Sequence, residues 1–399
     1  MGPKLVTFGC RLNIVESEAI RALLNQRDDV VVVNTCAVTA EAERQGRQAI
    51  RRANRTWPGV PVVATGCAVQ MDPNRWAALP GVTRVLGNAD KLHPESWTAG
   101  AGSRVSPADA PAPTPVVTGF AAHTRGFVQV QAGCDHACTF CTIPAGRGRN
   151  RSTAIADVVN QVAALVRDGV HEVVLTGVDI ASHAQGIGQV AAAVLRDVPA
   201  LARLRLSSLD PAAIDEAVWQ LLETEPRFMP HLHLSLQSGA GLVLKRMRRR
   251  HDPAGALAVI ERARRARPGI AIGADLIAGF PTETDALAAE TEQLVTDAAI
   301  PYLHVFAYSE RPGTPAARMP AIPVPVRRAR AARLRAIGAT QAAAFHAGQA
   351  GRVVRVLMER GGRGHTEHFA PVRLAAEPGQ MVQARIVGTD AAGLLAELA

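Results

Sequence analysis

Long apolar stretches are missing from this 399-residue chain. No run of about 18 or more apolar residues occurs, so no segment has the hydropathy of a membrane-spanning helix. The opening residues MGPKLVTFGCRLN lead straight into a strand pattern, with neither the apolar region of a secretory signal nor a transit peptide. The cytoplasm is therefore the expected compartment, with no membrane partner. Acidic residues are the minority charge, 35 against 44 Lys plus Arg, and the net charge of +9 favours a polyanionic partner. Aromatic residues make up only 4% of the chain, and from Gly351 onward Phe369 is the only one. Cysteines number six, and their placement does not read as a disulfide framework.

Three of these cysteines organise the chain. Cys134, Cys138 and Cys141 fall at C-x-x-x-C-x-x-C spacing just after an alternating apolar strand, Phe127–Val130. Soft thiolates favour zinc or iron–sulfur clusters. A structural zinc site completes its tetrahedron with a fourth Cys or His, and His136, between two of the cysteines, would strain such a site. Three ligands point instead to a 4Fe-4S cluster with one iron left open for a substrate or cofactor.

The other three cysteines each end a strand-like run. Lys4–Gly9, Val30–Thr35 and Val60–Gly66 lead into Cys10, Cys36 and Cys67, with helical segments at Ile14–Asn25 and Ala40–Arg55 between them. Each interval fits one strand–helix–strand crossover of a parallel sheet. Such crossovers bring the C-terminal strand ends to one edge, where open α/β sheets carry ligands. Residues 98–118, rich in Ala, Pro, Gly and Ser, read as a linker.

Strand-like runs follow at His171–Thr176, Leu204–Leu209, His231–Leu236, Ile270–Ile277 and Tyr302–Ala307, alternating with helical patterns. With Phe127–Val130 they make six strands, the pattern of a parallel sheet curled into a partial (β/α)6 barrel. A full eight-stranded barrel needs about 250 residues, more than Gly119 to about Gln341 provides. Ligands bind such barrels at the C-terminal strand ends, where Gly177, Asp179, Ser235, Gln237 and Asp275 are candidates for a cofactor pocket. Basic runs at Arg44–Arg55, Lys245–His251 and Arg327–Arg335 read either as solvated helix faces or as surface tracking an RNA backbone. From Gly351 short strands separated by Gly and Pro turns predict a small β-barrel. Its Arg352, Arg355, Arg360, Arg363 and His365 would bind nucleic acid mainly by charge.

Taken together, FGCRLN, VNTCAVT, ATGC, GCDHACTFCTIP, SLQSG and GFPTET resemble the methylthiotransferases of the radical S-adenosylmethionine (SAM) superfamily over nearly the whole chain. Details such as LKRMRRRH and HVFAYSERPGTPAARMP look most like the branch acting on N6-threonylcarbamoyladenosine in tRNA. The resemblance implies an N-terminal domain over 1–97, a radical SAM domain over 119–345 and a TRAM-like domain over 346–399. It implies that Cys10, Cys36 and Cys67 hold an auxiliary 4Fe-4S cluster, while Cys134, Cys138 and Cys141 hold the SAM-cleaving one. Phe140 would pack near the adenine of SAM. Of two SAM molecules, one would methylate a sulfur atom and the other would yield the 5′-deoxyadenosyl radical, placing a methylthio group at adenine C2. A low-potential electron donor and a sulfur donor are implied partners, and the anticodon stem-loop of tRNA the substrate. Here Ala145 and Gly146 stand where the family has an aromatic residue before the Arg-Gly pair, and Arg147 remains to hold a carboxylate or phosphate. Isopentenyl-modified adenosine and an aspartyl residue of a ribosomal protein are alternative substrates. A non-catalytic iron–sulfur RNA-binding protein is the alternative from another class.

Overall fold

Valine-rich runs build the first sheet: β1 (Lys4–Thr7), β2 (Val31–Thr35), β3 (Val62–Gly66) and β4 (Val82–Leu86) pair in parallel, in chain order. The computed structural model describes residues 2–25, 27–98 and 100–399. Met1 and Gln26 of the expected N-terminal domain and Ala99 of the expected linker lie outside the described residues. Both faces of the central strands are covered, one by Ile50, Ala53 and Trp76, the other by Ile20, Leu24 and Trp97. Burial on both faces is what makes these strands read as continuous apolar runs.

The stretch after β4 packs along the sheet edge. Arg104 N–H donates to the Val85 carbonyl and its own carbonyl accepts from Gly87 N–H, while Asp90 accepts from Ser106.

The central domain winds β5 (Gly126–Gln129), β8 (Glu172–Thr176) and β9 (Arg203–Leu206) into one parallel group, and β10 (His231–Gln237), β11 (Ala271–Ala278) and β12 (Tyr302–Ala307) into another. A short hairpin, β6 (Gln131–Ala132) with β7 (Arg151–Ser152), closes the neck of the cysteine loop between them. Leu209 joins the two groups by a parallel bridge to Leu234. The six strands thus form the expected partial barrel. Its outer side packs on the helices through Val162, Leu165, Val194, Trp219, Ile260 and Val295. The helix Arg11–Leu23 of the N-terminal domain lies across the inner face, where Ile14, Val15 and Ala19 meet Phe120, Phe127 and Val174.

The last strands, β13 (Val353–Glu359), β14 (Arg363–Thr366), β15 (Pro371–Arg373), β16 (Met381–Asp390) and β17 (Gly393–Leu398), close a barrel in the order β13-β14-β15-β17-β16. It docks at the N-terminal ends of the central strands. Arg203 donates to the carbonyls of His365 and Arg355, and Arg205 to those of Thr366 and Glu367. Both guanidinium groups share the fully buried Glu172. Burial works against ionisation of that carboxyl, but Arg205 and Arg203 outweigh it and hold its pKa at about 2.

Candidate functional site

The N-terminal cysteines gather because each follows a parallel strand of one sheet. Cys36 and Cys67 come directly after β2 and β3, and Cys10 caps the helix Arg11–Leu23. Asparagines tie their loops together. Asn13 donates to the carbonyls of Phe8 and Thr35, beside Cys10 and Cys36, while Asn88 donates to Cys67 Sγ at 3.6 Å and to the Gly146 carbonyl. The three cysteines line one cavity with Ile143, Gly146 and Val178, and no fourth Cys or His joins them among its lining residues.

The second trio sits on the loop between β6 and the helix Ile143–Arg147. Cys134, Cys138 and Cys141 line a cavity with Phe140, Asp179, Ser235, Gln237 and Arg249. Ile143 and Val178 border both cavities, so the trios lie on the two sides of one thin apolar wall. The loop is pinned from outside. Thr139 N–H donates to the Met247 carbonyl, its hydroxyl to the Arg246 carbonyl, and its own carbonyl accepts from Ala316 N–H.

Both trios have the donor set that a cubane cluster with one open iron requires. Backbone N–H groups two residues on point at the sulfurs, from Val38 to Cys36, His136 to Cys134 and Ile143 to Cys141, each at 3.4 Å. Arg249 Nη1 adds a donor to Cys138 Sγ at 3.6 Å. Such donors stabilise thiolate ligands and tune cluster potential. Burial pushes the Cys36 and Cys134 thiols up to about 12 and Cys141 to about 11. A bound cation reverses that penalty, because coordination deprotonates a thiol outright. His136 is engaged by Asp179 at 2.9 Å, which leaves three thiols as the ligands of its loop.

The candidate cofactor residues divide. Phe140, Asp179, Ser235 and Gln237 share the cavity of the second trio. Phe140 meets Phe280 edge-on at 6.4 Å. Gln237 has φ of 67° at a register shift between β10 and β11, and Ser238 N–H closes a tight turn onto the Leu236 carbonyl at 2.8 Å. A non-glycine residue in that turn is strained, and such strain gathers at functional sites.

Three expected residues lie elsewhere. Gly177 is small for packing reasons: a Cβ there would stand 2.8 Å from the Gln131 carbonyl oxygen. Asp275 lies in the barrel lumen outside the cofactor cavity, between His233 at 3.0 Å and His304 at 3.2 Å. Arg147 borders the N-terminal trio, and the carboxylate it holds belongs to the chain itself. It grips Glu16 through both oxygens at 2.8 and 3.1 Å and reaches Asn13 at 2.6 Å. The fully buried Lys91 binds the same Glu16 at 2.6 Å. Burial opposes the charge on Arg147, but Cys67 and Glu16 more than compensate and raise its pKa well above the usual value. In place of the aromatic, the small Gly146 lets its helix approach Cys67, whose Cβ would lie 3.4 Å from an added methyl.

Sequence reasoning missed Arg249 and Asp210. Arg249 belongs to the basic run Lys245–His251, and at this position the run turns inward onto Asp210. Asp210 pairs with Arg249 at 3.2 Å and Arg250 at 3.0 Å. Burial disfavours its charge, yet His251 and Arg249 hold its carboxyl well below the usual range. The run Arg327–Arg335 is also partly internal: Arg330 bonds Glu283 and Asp285, and Arg327 bonds Glu310. Exposed basic side chains without an ion pair among the described residues include Arg51, Arg52, Arg55, Lys245, Arg248, Arg328, Arg335 and Arg363. In the C-terminal barrel Arg355 pairs with Glu367 and Arg352 with Gln349, Arg360 bonds the Ala121 carbonyl, and His365 stacks on Phe369.

Comparison with known proteins agrees with this geometry. Residues 128–295 match the Radical SAM superfamily and residues 4–87 the Uncharacterized protein family UPF0004. A threonylcarbamoyladenosine tRNA methylthiotransferase of Rickettsia prowazekii is 43% identical over 97% of this chain and 95% of its own. The Aquifex aeolicus protein of that name is 31% identical over 95% and 98%. A tRNA-2-methylthio-N(6)-dimethylallyladenosine synthase of Erythrobacter litoralis is 32% identical over 90% and 87%. Among solved structures, a radical SAM methyltransferase from Kitasatospora setae, with cobalamin and a [4Fe-4S] cluster bound, shares the fold at a TM-score of 0.56 and 16% identity. It covers 77% of this chain and 68% of that one. Two cysteine trios across a shared wall, on an N-terminal sheet and a partial barrel matched along their length, place the chain in the radical SAM methylthiotransferase family.

Proposed function

We propose that the protein adds a methylthio group to C2 of N6-threonylcarbamoyladenosine beside the anticodon of tRNA, using two 4Fe-4S clusters and SAM. The observation that carries this reading is the adjacency of two three-cysteine cavities that share Ile143 and Val178 in their linings. One cluster alone would serve a radical enzyme of another kind; two within reach of one cavity suit sulfur insertion. The relatives' names supply the substrate.

When bound, the clusters and SAM supply the radical and sulfur chemistry that an unreactive aromatic C–H demands and no side chain provides. The chain's own residues position and shield. Cys134, Cys138 and Cys141 hold one cluster, with Phe140, Asp179, Ser235, Gln237 and Arg249 around the SAM. Cys10, Cys36 and Cys67 hold the other. Ile143 and Val178 line both cavities, and the Arg147–Glu16–Lys91 network fixes one half against the other. Arg51, Arg52, Arg55 and Arg363 are exposed charges for the RNA backbone. A low-potential electron donor and a separate sulfur donor complete the reaction, which takes place in the cytoplasm; no described helix is long and apolar enough to cross a membrane.

Nucleoside mass spectrometry of tRNA from cells with and without the protein tests the reading. Loss of 2-methylthio-threonylcarbamoyladenosine on deletion supports it. Loss of the 2-methylthio-isopentenyl nucleoside instead would transfer the same chemistry to the other substrate.

A further inference from the structure

One guanidinium near the site has no partner among the described residues. Arg11 follows Cys10 directly and opens the helix that lies across the inner face of the partial barrel. It therefore stands where the barrel lumen meets the cavity of the N-terminal trio, which Cys10 lines. It is half-buried, and among the described residues it makes neither a hydrogen bond nor an ion pair.

Its charged neighbours in the lumen have ionic partners. Arg205 has Glu172, Arg125 has Glu359 at 3.2 Å, and His233 and His304 bracket Asp275. Burial drives the pKa of His231 well below its usual value, so that ring is neutral. Among the charged groups that act on Arg11 in the lumen, Asp275 is the one carboxylate, and His233 and His304 already hold it. The lumen is short of one anion at this position. It is also open: on the inner face of β12 the His304 side chain is 58% exposed and Phe306 is 42% exposed. An exposed aromatic face in an open lumen is what a base turned out of its stack requires.

We propose that Arg11 is a specificity-determining residue: its guanidinium binds the carboxylate of the threonylcarbamoyl group on the substrate adenine. This rests on the reading of the substrate given above and deepens it. A guanidinium pairs with a carboxylate through two parallel hydrogen bonds, in a geometry that lysine cannot copy. An isopentenyl group offers no anion and would leave the half-buried cation against hydrocarbon, which disfavours that substrate.

The test uses the full chain with both clusters reconstituted anaerobically, and three stem-loop RNAs. These carry threonylcarbamoyladenosine, its carboxyl methyl ester, or unmodified adenosine, and affinity is read by fluorescence anisotropy. The wild-type protein should bind the acid about tenfold or more tightly than the ester, the scale of a charge-assisted hydrogen bond. Arg11→Gln should bind acid and ester alike, and Arg11→Lys should keep part of the preference. The wild-type comparison of acid with ester requires no variant, so the test survives a variant that loses its neighbouring cluster. Wild-type protein that prefers both modified RNAs to the unmodified one, yet does not separate acid from ester, would overturn the role of Arg11 and leave the substrate reading intact. Full preference for the acid in a cluster-loaded Arg11→Gln would do the same. Equal binding of all three RNAs by the wild type would overturn both.

Discussion

At the scale of single residues, the two trios divide the work. Cys134→Ala removes a ligand of the cluster beside Phe140 and Gln237, so no 5′-deoxyadenosine should form under reducing conditions. Cys10→Ala should still release 5′-deoxyadenosine while producing no methylthio nucleoside, both read by chromatography and mass spectrometry. Equal loss of cleavage in the two variants would contradict the division. Glu16 makes a prediction of another kind. Burial opposes its ionisation, but Arg147 and Lys91 hold its pKa at about 2 in the folded state, below the reference of 4.5. Its contribution to stability is therefore complete above the unfolded value and is lost as pH falls through that window. Glu16→Gln at neutral pH leaves two buried cations without their anion and should cost about 3–5 kcal/mol, measured as a lower urea midpoint; an unchanged midpoint would show that the network does not hold the two domains. The cysteines were legible because soft ligands at short spacing have few other uses. Arg249 and Asp210 were not, because a charge in sequence reads as surface. Only the fold shows that Arg147 meets a carboxylate 131 positions away.

At the scale of elements, the cysteine loop depends on its neck. Gly133 has φ of 73°, and a Cβ there would stand 1.8 Å from the Arg149 carbonyl oxygen. Gly133→Ala should open the β6–β7 hairpin and deplete the iron of the adjacent cluster, leaving that of the N-terminal trio; iron analysis and the electron paramagnetic resonance signal of the reduced protein report this. Retention of full iron would contradict it. Strands buried on both faces were legible as apolar runs, to within one or two residues for most. β4 escaped notice because Val82 and Arg84 are only partly buried and Thr83 is exposed, which breaks the apolar pattern. The C-terminal barrel has five strands because Phe369, at φ of 64°, turns the chain back on itself between β14 and β15. The shift in β10 at Gln237 has no periodic signature, since a bulge reverses the alternation from which facing is deduced.

At the scale of the whole molecule, three sets of strands are joined through buried charge. Glu172, Arg203 and Arg205 fasten the C-terminal barrel to the end of the central barrel opposite the clusters. Glu172→Gln should weaken that docking by about 3–5 kcal/mol, detected as faster amide hydrogen exchange in β13 and β14, with cluster content unchanged; unaltered exchange would show the contact to be incidental. The same Arg205 and Arg203 depress the Glu172 pKa, so this docking is strongest above the reference value of 4.5 and fades as pH falls toward 2. Beyond these joints, one arrangement organises the molecule: an N-terminal sheet that brings Cys10, Cys36 and Cys67 to the back of the wall behind Cys134, Cys138 and Cys141. Iron quantification with Mössbauer spectroscopy on anaerobically reconstituted protein tests it most directly. Two cubanes require about eight irons per chain, and replacing either cysteine trio by alanine should leave about four, with the surviving cluster intact. A wild-type protein that holds iron for a single cluster would contradict the account.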